Sequence, residues 1–163
     1  MVIWILGLSG SGKTTLAKKI HLKLKKKIKI IHVDGDAMRK IYSDKLGHSL
    51  KDREINAERI SKLVKYLSDQ NIHVVVSVLS NFPKWLKWNK KNFRKYYEIY
   101  LKTNMAILKK RKKKLYSNKI KNVIGLDLKF NEPINPNIVI ENCQSFKKLE
   151  IEVKNLLNKL KLN

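Results

Sequence analysis

A doubly wound α/β fold on a five-stranded parallel sheet is what this sequence predicts, on three observations. Five short apolar runs alternate with longer segments of helical period. Several of those runs are apolar at every position, as strands covered by helices on both faces must be. The first run leads straight into a glycine-rich turn and then a helical pattern, the strand–loop–helix order of a phosphate-binding loop.

The elements follow in order. VIWIL, Val2–Leu6, is the first strand, and Gly7-Leu8-Ser9-Gly10-Ser11-Gly12-Lys13-Thr14 then satisfies G-x-x-x-x-G-K-[ST] in full, with Thr15 completing the loop. A helix is predicted near Thr14–Lys26 and a second strand at Ile28–Val33. Straight after that strand come Asp34, Asp36 and Arg39 in HVDGDAMRKIY, at the carboxyl edge of the sheet, where α/β folds bind ligands. An Asp here could be no more than a helix N-cap, which would account for Asp36 but not for the trio. Ser49-x-x-Asp52 has the form of a capping box and opens a helix over Asp52–Gln70, on which Arg53 and Asn56, three apart, share a face. A strand at Ile72–Leu79, a helix at Trp85–Lys95, a strand at Tyr96–Leu101 and a helix at Asn104–Lys114 continue the alternation. The charged, low-complexity run Lys109–Asn122 occupies the position of a mobile lid; a strand at Asn137–Ile140 and a helix at Ser145–Lys161 close the chain. The expected organisation is one domain over residues 1–163, with the lid at about 109–127.

Composition narrows the function classes. The formal charge of +24 suggests a nucleic-acid binder, but only Arg39, Arg53, Arg59, Arg94 and Arg111 among the 37 basic residues are arginines, the residue type best suited to bidentate phosphate and base recognition. Abundant Lys, Asn and Ile fit a compositional bias instead, and no nucleic-acid partner is expected. No run approaches the roughly 18 uninterrupted apolar residues of a membrane span, and the opening MVIWILG is too short for a signal peptide. A cytoplasmic protein without a membrane partner is therefore expected. The single Cys143 permits neither an internal disulfide nor a multi-cysteine metal site. Trp85 and Trp88, three apart on an amphipathic helix, read as core or subunit surface.

The loop residues imply their chemistry. Glycines let the backbone curl until its N–H groups face the phosphates of a nucleotide, Lys13 adds a point charge, and Thr14 offers a hydroxyl to Mg²⁺. ATP with Mg²⁺ is the expected pair. The loop does not name what receives the phosphate: water would make a P-loop ATPase, regulatory or stimulated by nucleic acid, and a bound hydroxyl would make a small-molecule kinase. The guanine-reading NKxD is absent, as are the glycine pattern and catalytic-loop signature of protein kinases.

With these residues in place, the chain resembles the adenylylsulphate (APS) kinase family, P-loop enzymes that use Mg-ATP to phosphorylate the ribose 3′-hydroxyl of adenosine 5′-phosphosulphate. GLSGSGKTT, DGDAMR, LGHSLKDREIN, SVLSNF, IKNVIGLD and NEPINPN carry the resemblance in the family's order, from about Val2 to Asn142. It implies a P-loop kinase with strand order 2-3-1-4-5 and, commonly, a homodimer. It makes Gly7 to Thr15 the ATP-phosphate loop and places Asp34 and Asp36 near Mg²⁺ and the 3′-hydroxyl, with Lys13, Asp36 and Asp34 catalytic, Asp36 the base, and Thr14 and Asp34 at the metal. It assigns Asp36, Arg39, His48, Arg53, Asn56, Ser80, Lys121 and Val123 to the acceptor, a small nucleotide.

The departures from the family's pattern gather at the acceptor base. Family members that use APS clamp its adenine between two phenylalanines, in LGFS and KGFTG; here the positions hold His48 in LGHS and Val123 in KNVIG. SPY is replaced by Ser80-Asn81-Phe82, and a lid shorter by about four residues leaves the ATP-stacking position open between Lys110 and Arg111. Base–aromatic stacking is worth about 1–3 kcal/mol per ring, so the losses weigh against adenine. The chain also resembles the relatives that phosphorylate cytidine diphosphoramidate during capsular phosphoramidate synthesis. That acceptor is the expectation, with APS the alternative and a P-loop regulatory ATPase a distant one.

Overall fold

The computed structural model describes residues 1–42, 46–79, 82–117, 120–141 and 146–160. Five parallel strands, β1 (Val2–Leu6), β2 (Ile30–Asp34), β3 (His73–Val78), β4 (Tyr96–Lys102) and β5 (Ile138–Glu141), form a sheet of order β2-β3-β1-β4-β5. The helices are α1 (Lys13–Leu24), α2 (Gly35–Ile41), α3 (Leu50–Asp69), α4 (Pro83–Asn92), α5 (Met105–Arg111) and α6 (Phe146–Lys159). The predicted sheet order is the observed one.

The central strand explains the layers. All five residues of β1 are buried, and strand geometry sends alternate side chains to opposite faces. Ile3 and Ile5 join Leu16 and Ile20 of α1 and Val153 and Leu156 of α6 in one core. Val2, Trp4 and Leu6 join Ile60 and Val64 of α3 and Leu86 of α4 in the other. Trp85 is buried, and Trp88, partly buried, packs against the second core, where its ring meets Phe93 edge-on at 6.2 Å. A third, smaller core of Leu108, Tyr116 and Val123, flanked by Leu8 and Met105, joins the segment after β4 to the phosphate loop.

Most element boundaries differ from the sequence reading by one or two residues, and three differences have a clear local reason. β2 begins at Ile30 rather than Ile28, because the Lys27 and Ile28 amides both donate to the Leu24 carbonyl and finish the end of α1. The α4 helix starts at Pro83, whose fixed φ suits a first helical turn, and stops at Asn92, since Phe93 turns extended to reach the core. α2 is a helix to which the sequence reading assigned no element, and its N-cap is Asp34, not Asp36: the Asp34 carboxylate accepts from the Asp36 and Ala37 amides. The capping box at Ser49 and Asp52 forms as expected, although α3 begins at Leu50.

Candidate active site

The carboxyl ends of β1, β2 and β3 open into a cleft of about 960 Å³, lined by the phosphate loop, the start of α2, one face of α3 and the segment after α5. Gly7 leaves β1 with no room for a side chain, since a Cβ there would lie 2.5 Å from the Leu101 carbonyl oxygen. Gly12 sits at the N-cap of α1 with φ 100°, a left-handed conformation that glycine adopts at little cost. The helix that follows aims its positive end at the cleft. Lys13, the first residue of that helix, donates to the Leu8 carbonyl at 2.8 Å. Burial pushes the Lys13 ammonium down to about 8, against the favourable charges of Asp36 and Asp34 and with the unfavourable one of Lys112.

This depression has a measurable sign. Phosphates beside Lys13 favour its protonated form, so the complex binds more protons than the free protein above pH 8. Affinity for ATP is expected to fall as pH rises through about 8, with proton uptake on binding. Calorimetric titrations in two buffers of different ionisation enthalpy would detect that uptake; its absence at pH 9 would show that Lys13 does not meet the phosphates.

Asp34 ends β2, and the strand register sets its partners. Asp34 pairs with Ser77 across β2 and β3, and His32, two residues back, lies on the same face. Thr14 and Ser77 donate to Asp34 Oδ2 at 2.8 and 2.7 Å, while Oδ1 caps α2. With the Ser77 proton committed to the carboxylate, the Ser77 oxygen is free to accept from His32 Nε2 at 2.8 Å, which fixes the imidazole as its Nε2–H tautomer. Burial raises the Asp34 carboxyl, but the bonds from Ser77, Thr14 and two backbone amides outweigh it and hold the group below the usual carboxylate range. Four donors occupy this carboxylate. It is a structural anchor for Thr14 and α2 rather than a free base. With its four donors in place the Asp34 carboxylate has no oxygen lone pair left for a metal, so the metal-ligand role expected of Asp34 passes to Thr14 alone, whose Oγ1 gives its proton to Asp34 and keeps a hard oxygen of the kind Mg²⁺ takes. Among the described residues no group of three or more His, Cys, Asp or Glu could cage an ion; a Mg²⁺ here would draw its other ligands from nucleotide phosphates and water.

Asp36 is exposed in the cleft, and among the described residues no hydrogen bond reaches its carboxylate. Arg39, His48, Arg53, Asn56, Lys121 and Val123, the residues the sequence reading assigned to the acceptor, line the same cleft. Arg39 donates through Nη1 to the Gly47 carbonyl; Arg53 donates to the His48 carbonyl at 2.8 Å and the Asn122 carbonyl at 3.0 Å. Each guanidinium thus braces the backbone of a cleft wall, and among the described residues neither lies within ion-pair distance of a carboxylate. The two positive charges act on each other: burial first, and then the Arg39 charge, push Arg53 below its usual value. Buried Asn56 donates to the Gly35 carbonyl at 3.1 Å, and among the described residues its Oδ1 has no partner. Partial burial and the Arg53 and Arg39 charges hold His48 below its usual value, so its ring is neutral at pH 7. Val123 touches the cleft but is 4% exposed, its side chain packed with Leu108 and Tyr116. Arg111 rather than Lys110 lies over the phosphate loop, donating to the Gly10 carbonyl at 3.2 Å. Ser80 and Cys143 lie outside the described residues.

Sequence reading missed three contributors. Ser77 had a signal, as a polar residue set among the valines of β3, and His32 had the two-residue spacing from Asp34. Tyr116, which donates to the Ser9 carbonyl at 2.7 Å, had none.

Comparison with known proteins agrees with this geometry. The family model for adenylylsulphate kinase matches residues 1–141. A cytidine diphosphoramidate kinase of Campylobacter jejuni is 35% identical, over 99% of this chain and 96% of its own. A probable adenylyl-sulfate kinase of Archaeoglobus fulgidus is also 35% identical, over 86% of this chain and 94% of its own. The APS kinase of Mycobacterium tuberculosis, solved with AMPPNP and APS, superposes with a TM-score of 0.86 at 26% identity, covering 98% of this chain and 96% of that one.

Proposed function

Since this chain belongs to the adenylylsulphate kinase family and is a nucleotide kinase, we propose that it moves the γ-phosphate of ATP to the ribose 3′-hydroxyl of a nucleotide 5′-diphosphate analogue, and that this acceptor is cytidine diphosphoramidate. The observation that carries the acceptor is the wall where the family's adenine clamp would stand. His48 presents one neutral imidazole there, and Val123 turns its side chain into the small core under the lid instead of offering a ring. Without an aromatic pair, the large purine loses its platform, and a smaller base with polar edges fits the cleft better. The resemblance to the Campylobacter kinase points the same way, since it spans nearly the whole of both chains. The second reading, APS, is favoured by the equal identity to the Archaeoglobus protein, with His48 stacking in place of a phenylalanine.

In this mechanism Asp34 holds the Thr14 hydroxyl in place, and Thr14 would hold a Mg²⁺ that would neutralise charge at the phosphates. Lys13 and the loop amides stabilise the moving phosphoryl group. Asp36, the carboxylate free of hydrogen bonds, takes the 3′-hydroxyl proton. Arg39 and Arg53 hold the anionic 5′ part so that the ribose lies in line with the γ-phosphate. The segment at about 109–127 acts as the lid and keeps water from replacing the hydroxyl.

Steady-state kinetics with the two acceptors side by side tests the assignment. Cytidine diphosphoramidate is expected to have the higher kcat/KM, and His48→Phe is expected to move preference toward APS by about fivefold to a hundredfold, the value of one stacking contact. A tenfold preference of the unaltered enzyme for APS would overturn the cytidine assignment. Val123→Phe is not a useful partner change, because a ring there would overfill the packing around Leu108 and Tyr116, at a cost of about 1–3 kcal/mol.

A further inference from the structure

We propose that Tyr116 is a positioning residue for phosphoryl transfer: its hydroxyl fixes the peptide between Ser9 and Gly10 so that the Gly10 N–H faces the nucleotide phosphates, and its ring ties that peptide to the loop on the acceptor side. A peptide unit is planar, so a carbonyl held on one side points the next residue's N–H to the other. The phosphate loop has three successive carbonyls held, those of Leu8, Ser9 and Gly10. Leu8 accepts from Lys13 Nζ at 2.8 Å and from the Ser11 amide at 3.2 Å, Ser9 from the Tyr116 hydroxyl at 2.7 Å, and Gly10 from Arg111 Nη1 at 3.2 Å. Of these holders, Lys13 and the Ser11 amide belong to the loop and its helix, and Arg111 is exposed. Tyr116 is different: it is 5% exposed, anchored from another part of the chain, and its hydroxyl, which burial pushes up to about 12, remains a donor throughout the neutral range.

The same ring packs with Leu108 and Val123, against Leu8, Met105, Leu115 and Leu126. Val123 begins a turn built by Asp127, whose carboxylate accepts from the Asn122 and Val123 amides, and the Asn122 carbonyl accepts from Arg53 at 3.0 Å. Direct contacts therefore run from Ser9 through Tyr116 to the backbone that Arg53 braces. A loop that must otherwise be ordered by the nucleotide is ordered beforehand by the protein, which raises affinity by lowering the cost of ordering.

Tyr116→Phe keeps the ring and removes the hydroxyl. The Kd for AMPPNP, measured by calorimetry without acceptor, is expected to rise about threefold to tenfold, the worth of one hydrogen bond, and the KM for ATP is expected to rise with it while the acceptor KM changes less than twofold. Thermal unfolding of the variant is followed in parallel, because a purely structural tyrosine would lower Tm and leave the Kd of the folded protein alone. An AMPPNP Kd within twofold of the unaltered protein overturns the proposal, whatever Tm does; equal rises in both KM values would also overturn it, by showing a general loosening of the cleft.

Discussion

Lys13→Ala is expected to lower phosphoryl transfer by about 10³-fold or more, while thermal unfolding stays close to that of the unaltered protein. The size follows from the charge removed: a preorganised donor aimed at a developing negative charge is worth about 10²–10³ in rate, and Lys13 carries a full charge in a desolvated place. The fold should survive because the Leu8 carbonyl that accepts from Lys13 keeps its bond from the Ser11 amide. Removing a partly desolvated ammonium also relieves a burial cost. Rates within tenfold of the unaltered enzyme, measured under saturating ATP, would mean that the phosphates do not sit where the loop implies.

Asp36→Asn is expected to lower kcat by about 10²- to 10⁴-fold, the usual range for a general base, with little change in KM. The structure separates it from its neighbour. Asp34 is held by Thr14, Ser77 and the first turn of α2, so Asp34→Asn would disturb the cap and the Thr14 anchor together. Asp36 caps nothing, and its replacement should leave Tm unchanged. Rapid-quench measurement of the first turnover reports the chemical step directly. A normal first turnover in the variant would remove Asp36 from proton transfer.

What the sequence disclosed and what it hid divide along a physical line. Features set by contiguous residues were legible: β1 from its unbroken apolar run, the phosphate loop from its glycines, and the Ser49 capping box from its three-residue spacing. The face shared by Arg53 and Asn56 was equally readable, because helical period converts spacing into direction. α2 was not, since seven residues starting with Gly35 are too few to show a period. The same two aspartates could serve as cap or as base, and the roles separated only when Asp34 was found with four donors. Tyr116 and the His32–Ser77–Asp34 chain depend on which strands are neighbours and on how the segment after α5 folds back. That is long-range information: 107 residues separate Tyr116 from Ser9 and 43 separate Ser77 from Asp34. Val123 shows the complementary limit. Its position in the sequence marked the acceptor wall, but only packing revealed that its side chain turns toward Leu108 and Tyr116.

The central claim is that the γ-phosphate passes to a ribose hydroxyl of a bound nucleotide and not to water. The most direct measurement incubates the enzyme with ATP labelled at the γ-phosphate and cytidine diphosphoramidate, and then locates the label by ³¹P–¹H correlation NMR of the separated products. The account predicts that the label appears on the acceptor, coupled to the ribose H3′, with little free phosphate formed. Label released as inorganic phosphate at the same rate with or without a nucleotide acceptor, APS included, would contradict it and make the protein an ATPase.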